Sequence, residues 1–110
     1  MLFLVVDKVK LIPIPDEQAL SAYNAAQRLF KMLNDLEKDG KLKAKYAFAD
    51  IAGGIVMLDV ASLEELYGIL ASMPTTPYVD REIHPLISMD IMEEAVDMAR
   101  EKMKERVEKH

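Results

Sequence analysis

Two hydrophobic spacings alternate along this chain. Runs of β-branched and other apolar residues predict four strands: Met1 to about Leu11, Lys43 to about Ala49, Ile55 to Leu58, and Val79 to about Ile87. Elsewhere apolar residues recur every three or four positions, and this spacing predicts three amphipathic helices: Ala19 to about Lys38, Ser62 to about Ser72, and Asp90 almost to His110.

Local signals predict where the helices begin. Asp16 is the expected N-cap of the first helix, because its carboxylate can accept from a free backbone N–H. Ser62 with Glu65 forms a capping box at the start of the second helix. Asp90 with Glu93 repeats that spacing and predicts the start of the third.

Proline and glycine predict the chain reversals. Pro13 and Pro15 end the first strand, since proline donates no backbone hydrogen bond. Gly40 suits the C′ position after the first helix. The Gly53-Gly54 pair predicts a hairpin turn between the second and third strands.

The resulting order is strand, helix, strand, strand, helix, strand and a final helix. Two interleaved βαβ units of this kind predict a ferredoxin-like α+β fold, an antiparallel sheet with helices on one face. The 110 residues leave room for one such domain, over residues 1–88, with residues 89–110 as a C-terminal helical extension.

The predicted strands are apolar on both faces. A sheet with helices on one side and water on the other would alternate apolar and polar residues. Here Leu2, Leu4 and Val6 share one face of the first strand, and Phe3 and Val5 share the other. A second copy, packed sheet to sheet into a dimeric barrel, would cover the second face. A third helix folded under the sheet of a monomer would also cover it.

The third predicted helix carries a narrow apolar stripe on an otherwise charged surface: Met92, Ala95, Val96, Ala99, Met103 and Val107. One interpretation is a helix that docks by this stripe on its own domain or on a partner. The other is a seam for higher homo-oligomeric assembly. The stripe is too short and too rich in alanine to favour a coiled coil.

Composition narrows the range of partners and compartments. The formal net charge is −5 and no basic stripe is present, which argues against nucleic acid and anionic membrane surfaces as partners. The six apolar residues that open the chain are too few for a spanning helix. The chain has no cysteine, hence no disulfide or Cys-based zinc site, and a cytoplasmic location is compatible with this.

Glu82 and His84 are the candidate catalytic residues. They are two apart on one strand, so their side chains share a face. If that face lines the barrel, they can act as an acid–base pair, since histidine titrates near neutral pH. The alternative is a solvated pair, because the last strand of a ferredoxin-like sheet is an edge. His84 and His110 are too far apart in sequence to form a metal-ligand pattern.

Three further residues are candidates for substrate binding. Tyr46 shares a strand face with Phe48, and its hydroxyl can orient a ligand unless both residues only fill a core. Asp50 lies beside the predicted turn, where it is either a base at a pocket mouth or an ordinary turn residue. Arg28 can hold a carboxylate or belong to a solvated helix face.

Several motifs together resemble the muconolactone isomerase family. No single motif is specific, but their order and spacing from Met1 to Leu86 match: Met1-Leu2-Phe3, Ile51-Ala52-Gly53, Leu58-Asp59-Val60 before Ser62, Glu64-Glu65-Leu66, Met73-Pro74, Pro77-Tyr78, and Glu82 with Leu86. The resemblance implies a ferredoxin-like dimeric barrel that assembles further. It also implies proton transfer that moves a double bond in a small lactone acid without a cofactor.

The chain departs from that family at polar positions. The resemblance implies a carboxylate within the first helix, but no Asp or Glu lies between Glu17 and Asp35. Where the family places a tyrosine and an asparagine around the turn between the second and third strands, this chain has Ala52 and Gly54. A pocket here is therefore expected to be more apolar than the family's.

Two functions from different classes follow. The first is a cofactor-free isomerase of a small organic acid or lactone, with altered site residues and no metal. The second is a non-catalytic module that binds a small organic ligand or serves assembly. A cavity between the two sheets with Glu82, His84 or Tyr46 pointing into it favours the first, and a barrel filled by side chains favours the second.

Overall fold

The computed structural model of the chain describes residues 1–10 and 14–109, and its elements follow the predicted order. They are β1 (Leu2–Val9), α1 (Asp16–Lys38), β2 (Leu42–Ala47), β3 (Gly53–Asp59), α2 (Leu63–Ser72), a 3₁₀ turn (Thr76–Tyr78), β4 (Val79–Leu86) and α3 (Met89–Glu108). The strands form one antiparallel sheet in the order β2-β3-β1-β4. This arrangement confirms the predicted ferredoxin-like α+β fold. The expectations for Leu11, Pro13 and His110 concern residues outside the described part.

Two of the predicted N-caps are wrong by one or two residues. α1 begins at Asp16 itself, after Pro15 as N-cap, which makes no side-chain cap bond. α3 begins at Met89, where the Ser88 hydroxyl accepts from the backbone N–H of Asp90 at 3.2 Å. Both aspartates thus lie in the first turn of their helices, where a carboxylate is stabilised by the helix dipole.

The other helix signals are confirmed in part. The Ser62 hydroxyl accepts from the backbone N–H of Glu65 at 3.1 Å, as the capping box predicts. The Glu65 carboxylate instead lies 3.7 Å from Lys41 Nζ. Gly40 follows the C-cap of α1 with a φ of 77°, the left-handed conformation expected at C′.

The glycine pair opens β3 and is not the turn itself, which lies just before it. Gly53 pairs with Lys8, and Gly54 pairs with both Asp7 and Ala47. A Cβ atom on Gly53, whose φ is 138°, would overlap the carbonyl oxygen of Asp7, and one on Gly54 would overlap that of Tyr46. The two positions therefore require glycine because neighbouring backbones approach closely.

The register assigns every strand residue to one of two faces. Val5 pairs with Val56 and Ile83 on the face toward α1 and α2, which we call the inward face. The core fills one half of the space between this face and the helices, and its buried residues are Phe3, Val5, Leu33, Leu36, Leu42, Leu58, Val60, Leu66, Leu70 and Met73.

The opposite, outward face is apolar at its centre, and none of the helices within residues 1–10 and 14–109 lies on it. Leu4, Val6, Ile55 and Met57 are half-buried there, on the two central strands. Every residue of α3 is exposed, so α3 does not fold under the sheet, and the alternative in which the third helix covers this face is wrong. None of the helices in the described residues combines the length and apolarity that crossing a bilayer requires.

An ion pair between β1 and β4 lies within the layer between sheet and helices. Arg81 Nε donates to Asp7 Oδ1 at 2.7 Å, and its Nη2 donates to Oδ2 at 2.9 Å. The side chains are only 13% and 19% exposed, respectively. Nη1 also donates to the carbonyl of Leu70 at 3.3 Å and to the Thr76 hydroxyl at 3.1 Å. Arg81 therefore joins both strands to the end of α2.

Replacing Arg81 is expected to destabilise the fold strongly. Arg81→Met leaves the Asp7 carboxylate desolvated without its donors, which costs about 3 kcal/mol of unfolding free energy. The matched control is Lys10→Met, which removes the exposed 4.0 Å pair with Asp80 and should cost less than about 0.5 kcal/mol. Urea denaturation followed by circular dichroism measures both, and equal losses in the two variants would contradict the structural role of Arg81.

Candidate functional site

A cavity of about 360 Å³ lies between α1 and the inward face of the sheet. It occupies the end of the layer opposite the core, near Asp7, Gly54 and Val79. The walls are largely apolar, with Ala26, Leu29, Phe30 and Leu33 from α1 facing Val5, Ala47 and Val56 of the sheet. A volume of this size is within the range of small-molecule sites, about 300–1,000 Å³.

The cavity exists because few large side chains enter this end of the layer. Gly54, Ala47 and Ala26 contribute almost no volume to it. The buried residues of α1 are Ala25, Leu33 and Leu36, two of which lie in its last two turns. The part of α1 before Leu33 therefore covers the sheet mainly with small or incompletely buried residues, and the space beneath the middle of the helix, from Ala26 to Leu33, stays open.

Three polar side chains border this apolar space: Asp7, Lys45 and Thr75. Asp7 is fixed in the wall by Arg81, as described above. Each Asp7 oxygen accepts one bond from the guanidinium and retains a second lone pair. The carboxylate can therefore still contact a molecule within the cavity.

Thr75 has a buried hydroxyl without a partner among the described residues. The residue is 8% exposed and lies in the turn after α2. Its Oγ1 is fully buried and makes no hydrogen bond there. Because an unsatisfied buried hydroxyl costs about 1–3 kcal/mol, such groups call for an explanation. A ligand that bonds to this hydroxyl would provide one.

Lys45 lies at the edge of the cavity, between β2 and α1. Its ammonium donates to Asn34 Oδ1 at 2.7 Å and lies 3.5 Å from Glu37 Oε2. These contacts hold the second half of α1 against the sheet. They also keep a cation beside the cavity, where it can attract the carboxylate of an organic acid.

The predicted catalytic pair lies elsewhere. Glu82 and His84 share the outward face of β4, as strand alternation predicts, with Glu82 Oε2 3.4 Å from His84 Nε2. Their side chains are 62% and 55% exposed, and β4 is an edge strand. They do not line the cavity, and their catalytic role stays a prediction that requires a second sheet over that face.

The structure does not bring the predicted binding residues together either. Tyr46 is among the residues that border the cavity, but it is 69% exposed and its strand position assigns its side chain to the outward face. Asp50 is exposed in the β2–β3 turn, and Arg28 is exposed on α1. Within residues 1–10 and 14–109, no three His, Asp or Glu side chains form a group able to hold a metal ion.

Sequence reasoning missed Asp7, Arg81 and Thr75. A signal for the first two was present: Asp7 is in phase with Phe3 and Val5 on the inward face, and Arg81 is in phase with Ile83. An acid and a base at inward positions of two strands predict a buried pair once the strands are known to be neighbours. Thr75 gave no such signal, because its burial depends on how the turn packs.

The comparisons with known proteins support the fold and the resemblance. A crystal structure of muconolactone isomerase is 27% identical, covers 80% of this chain and 90% of its own, and superposes with a TM-score of 0.66. A 5-chloro-2-hydroxyhydroquinone dehydrochlorinase from Burkholderia phenoliruptrix AC1100, in complex with 2,5-dihydroxybenzoquinone, is 15% identical. It covers 79% of this chain and 94% of its own with a TM-score of 0.54, which supports the shared fold alone.

Among curated protein sequences, none is significantly similar to this chain. The model of the family described as muconolactone delta-isomerase matches residues 1–91, which include every element up to the start of α3. The chain therefore belongs to the muconolactone delta-isomerase family.

Proposed function

We propose that this protein is a cofactor-free isomerase that moves a proton within a small organic acid or lactone bound in the cavity beneath α1. The observation that carries the proposal is an ionisable carboxylate, Asp7, in the wall of an otherwise apolar cavity. Family membership supports the reaction class, since the matching family is named for an isomerase.

The walls define the substrate class. A largely apolar cavity of about 360 Å³ suits a compact unsaturated ring with few polar atoms. A carbonyl or ring oxygen of that substrate would accept from the Thr75 hydroxyl. Its carboxylate would lie toward the ammonium of Lys45 at the cavity edge.

Asp7 is the proposed acid–base residue. Its carboxylate would take a proton from the carbon beside the substrate carbonyl, breaking a C–H bond and forming an enolate. The same carboxyl would return that proton to another carbon, so the double bond moves and the composition of the substrate is unchanged. Arg81 is a positioning residue, because it holds the carboxylate through both oxygens without bordering the cavity.

A non-catalytic binding module is the second candidate. Both Asp7 oxygens already accept hydrogen bonds from a guanidinium, so the carboxylate already has a structural role in the fold. The cavity-facing residues of α1 are all apolar: Ala26, Leu29, Phe30 and Leu33. In this alternative the cavity holds its ligand unchanged.

We also propose a homodimer formed through the outward faces of two sheets. The half-buried Leu4, Val6, Ile55 and Met57 at the centre of that face support it, since contiguous apolar surface on a soluble domain marks an interface. The cytoplasm is the proposed compartment, because a chain with no cysteine does not depend on an oxidising one.

Asp7→Asn is expected to lower isomerase turnover by about 100-fold or more, because the amide cannot take up the proton. The measurement is NMR detection of the shifted double bond in unsaturated γ-lactones that carry a carboxylate. Asp50→Asn, an exposed turn residue outside the cavity, is the matched control and should keep full activity. Circular dichroism at the assay temperature verifies that both variants are folded.

Two other outcomes assign the protein differently. Loss of activity in His84→Ala with full activity in Asp7→Asn would place the chemistry on the outward face of the sheet. No double-bond shift in any of these lactones, together with their saturable binding to the wild-type protein, would favour the binding module.

Thr75→Val is expected to stabilise the free protein and weaken the binding of ligand. Valine has the same shape and removes the unsatisfied hydroxyl, so we expect a gain of about 1 kcal/mol in unfolding free energy. The lost hydrogen bond should raise the ligand Kd about threefold to tenfold. Urea denaturation and titration calorimetry with a lactone acid measure the two effects.

The neighbouring Thr76→Val is the matched control. The Thr76 hydroxyl donates to the carbonyl of Leu70 at 3.0 Å and accepts from Arg81 at 3.1 Å. Loss of the Thr76 hydroxyl should therefore destabilise the protein by about 1 kcal/mol, an effect opposite in sign to that expected for Thr75→Val. Destabilisation by both variants would show that the hydroxyl of Thr75 has a partner in the folded protein.

Met57→Glu is expected to dissociate the proposed dimer, because it places a charge at the centre of the outward face. An unpaired charge buried between two sheets costs about 3–5 kcal/mol, a rise in dimer Kd of more than about 100-fold. Analytical ultracentrifugation measures the Kd. Tyr67→Glu, at a position 76% exposed on α2, is the control, and equal dissociation by both variants would rule out this interface.

A further inference from the structure

α3 presents its apolar stripe to solvent. Met92, Val96, Met103 and Val107 are 55%, 58%, 54% and 70% exposed, and no residue of the helix is buried. With Ala95 and Ala99 they form one continuous face over about 22 Å of helix. A helix with no tertiary packing is marginal in water, because helices gain most of their stability from burying such a face.

The charges of α3 are divided between its two halves. Residues 89–99 carry four acidic residues and no basic one. Residues 100–109 carry five basic residues and three acidic ones. The helix dipole contributes to this division of charge only at the two termini. Asp90 lies at the N-terminal end, which favours acidic side chains, and Arg106 lies at the C-terminal end, which favours basic ones.

We infer that α3 pairs antiparallel with α3 of a second copy of this chain, stripe against stripe. In that orientation each acidic half lies beside the basic half of its partner. A parallel pair would place acidic beside acidic, which is repulsive. The antiparallel pair also has a two-fold axis near Ala99, the closed symmetry that most homodimers adopt.

The stripe itself matches this geometry. Met92 and Val107 are its two ends, and Ala99 lies near its middle. In an antiparallel pair with its axis near Ala99, Met92 lies beside the partner's Val107 and Ala95 lies beside the partner's Met103. Ala99 meets its own copy at the centre, where the small side chains allow the helices to approach closely.

This pairing is independent of the proposed isomerase function. α3 lies beyond the cavity and almost entirely beyond residues 1–91, which match the family. It is also separate from the outward face of the sheet, which α3 does not cover. The test must therefore report on α3 itself and not only on the size of the assembly.

Hydrogen–deuterium exchange of the α3 amides in the full chain provides that readout. The wild-type protein is expected to protect these amides at high protein concentration and to lose the protection on dilution. Val96→Glu with Met103→Glu should speed their exchange at high concentration at least tenfold. Met98→Glu is the matched control: its side chain is 65% exposed and lies off the stripe, so its exchange should equal that of the wild type.

These variants are expected to fold, because α3 packs against no other element of its own chain. The urea transition of the domain verifies this. Sedimentation at the same concentrations must show that the protected state contains more than one chain. Protection that does not change with concentration, or that the stripe variant retains, would overturn the pairing.

Charge reversal tests the orientation. Glu93→Lys, Glu94→Lys and Asp97→Lys together should weaken the protection at least tenfold, and Lys102→Glu, Lys104→Glu and Arg106→Glu together should do the same. The six substitutions together exchange the net charges of the two halves, from −4 and +2 to +2 and −4, so they should restore the protection to within threefold of the wild type. Stronger protection in the first set of substitutions, or no restoration in the combined variant, would overturn the antiparallel arrangement.

Discussion

A guanidinium that binds both oxygens of a carboxylate within the layer between sheet and helices joins two residues 74 positions apart, Asp7 and Arg81. Two charges can remain there only if their hydrogen-bonding groups are satisfied. The guanidinium meets this requirement by also donating to the carbonyl of Leu70 and the hydroxyl of Thr76. One side chain thus fixes the edge strand, the end of α2 and the turn that buries Thr75. The polar end of the cavity is built around this pair.

The rest of the layer is divided by side-chain volume. Large aliphatic residues such as Leu58 and Leu66 fill one end as a core. Small residues leave the other end open beneath the middle of α1. Asp7 lies in the wall of this open end, facing a helix with no Asp or Glu between Glu17 and Asp35. The proposed proton transfer therefore depends on a carboxylate of the sheet.

The fold could be predicted from the sequence because periodicity is a local property. Each strand and helix appeared in the right order, and errors at helix starts, such as Asp16 and Asp90, were one or two residues. The site could not be predicted in the same way. The alternation of side chains along a strand showed that Glu82 and His84 share a face of the sheet. It could not show which of the two faces the helices cover. Asp7 and Arg81 meet only through the β1–β4 register, and the burial of Thr75 depends on tertiary packing.

The glycine pair at the start of β3 has a consequence for how this protein can diversify. Close backbone approach leaves no room for a side chain at Gly53 or Gly54, so that part of the cavity floor consists of main chain. Point substitution can hardly reshape it during evolution. The opposite wall is formed by α1, where residues such as Ala26 and Phe30 are not buried and can change size at little cost to folding. A change in ligand preference should therefore arise through substitutions in α1, while the main-chain part of the cavity wall stays nearly constant.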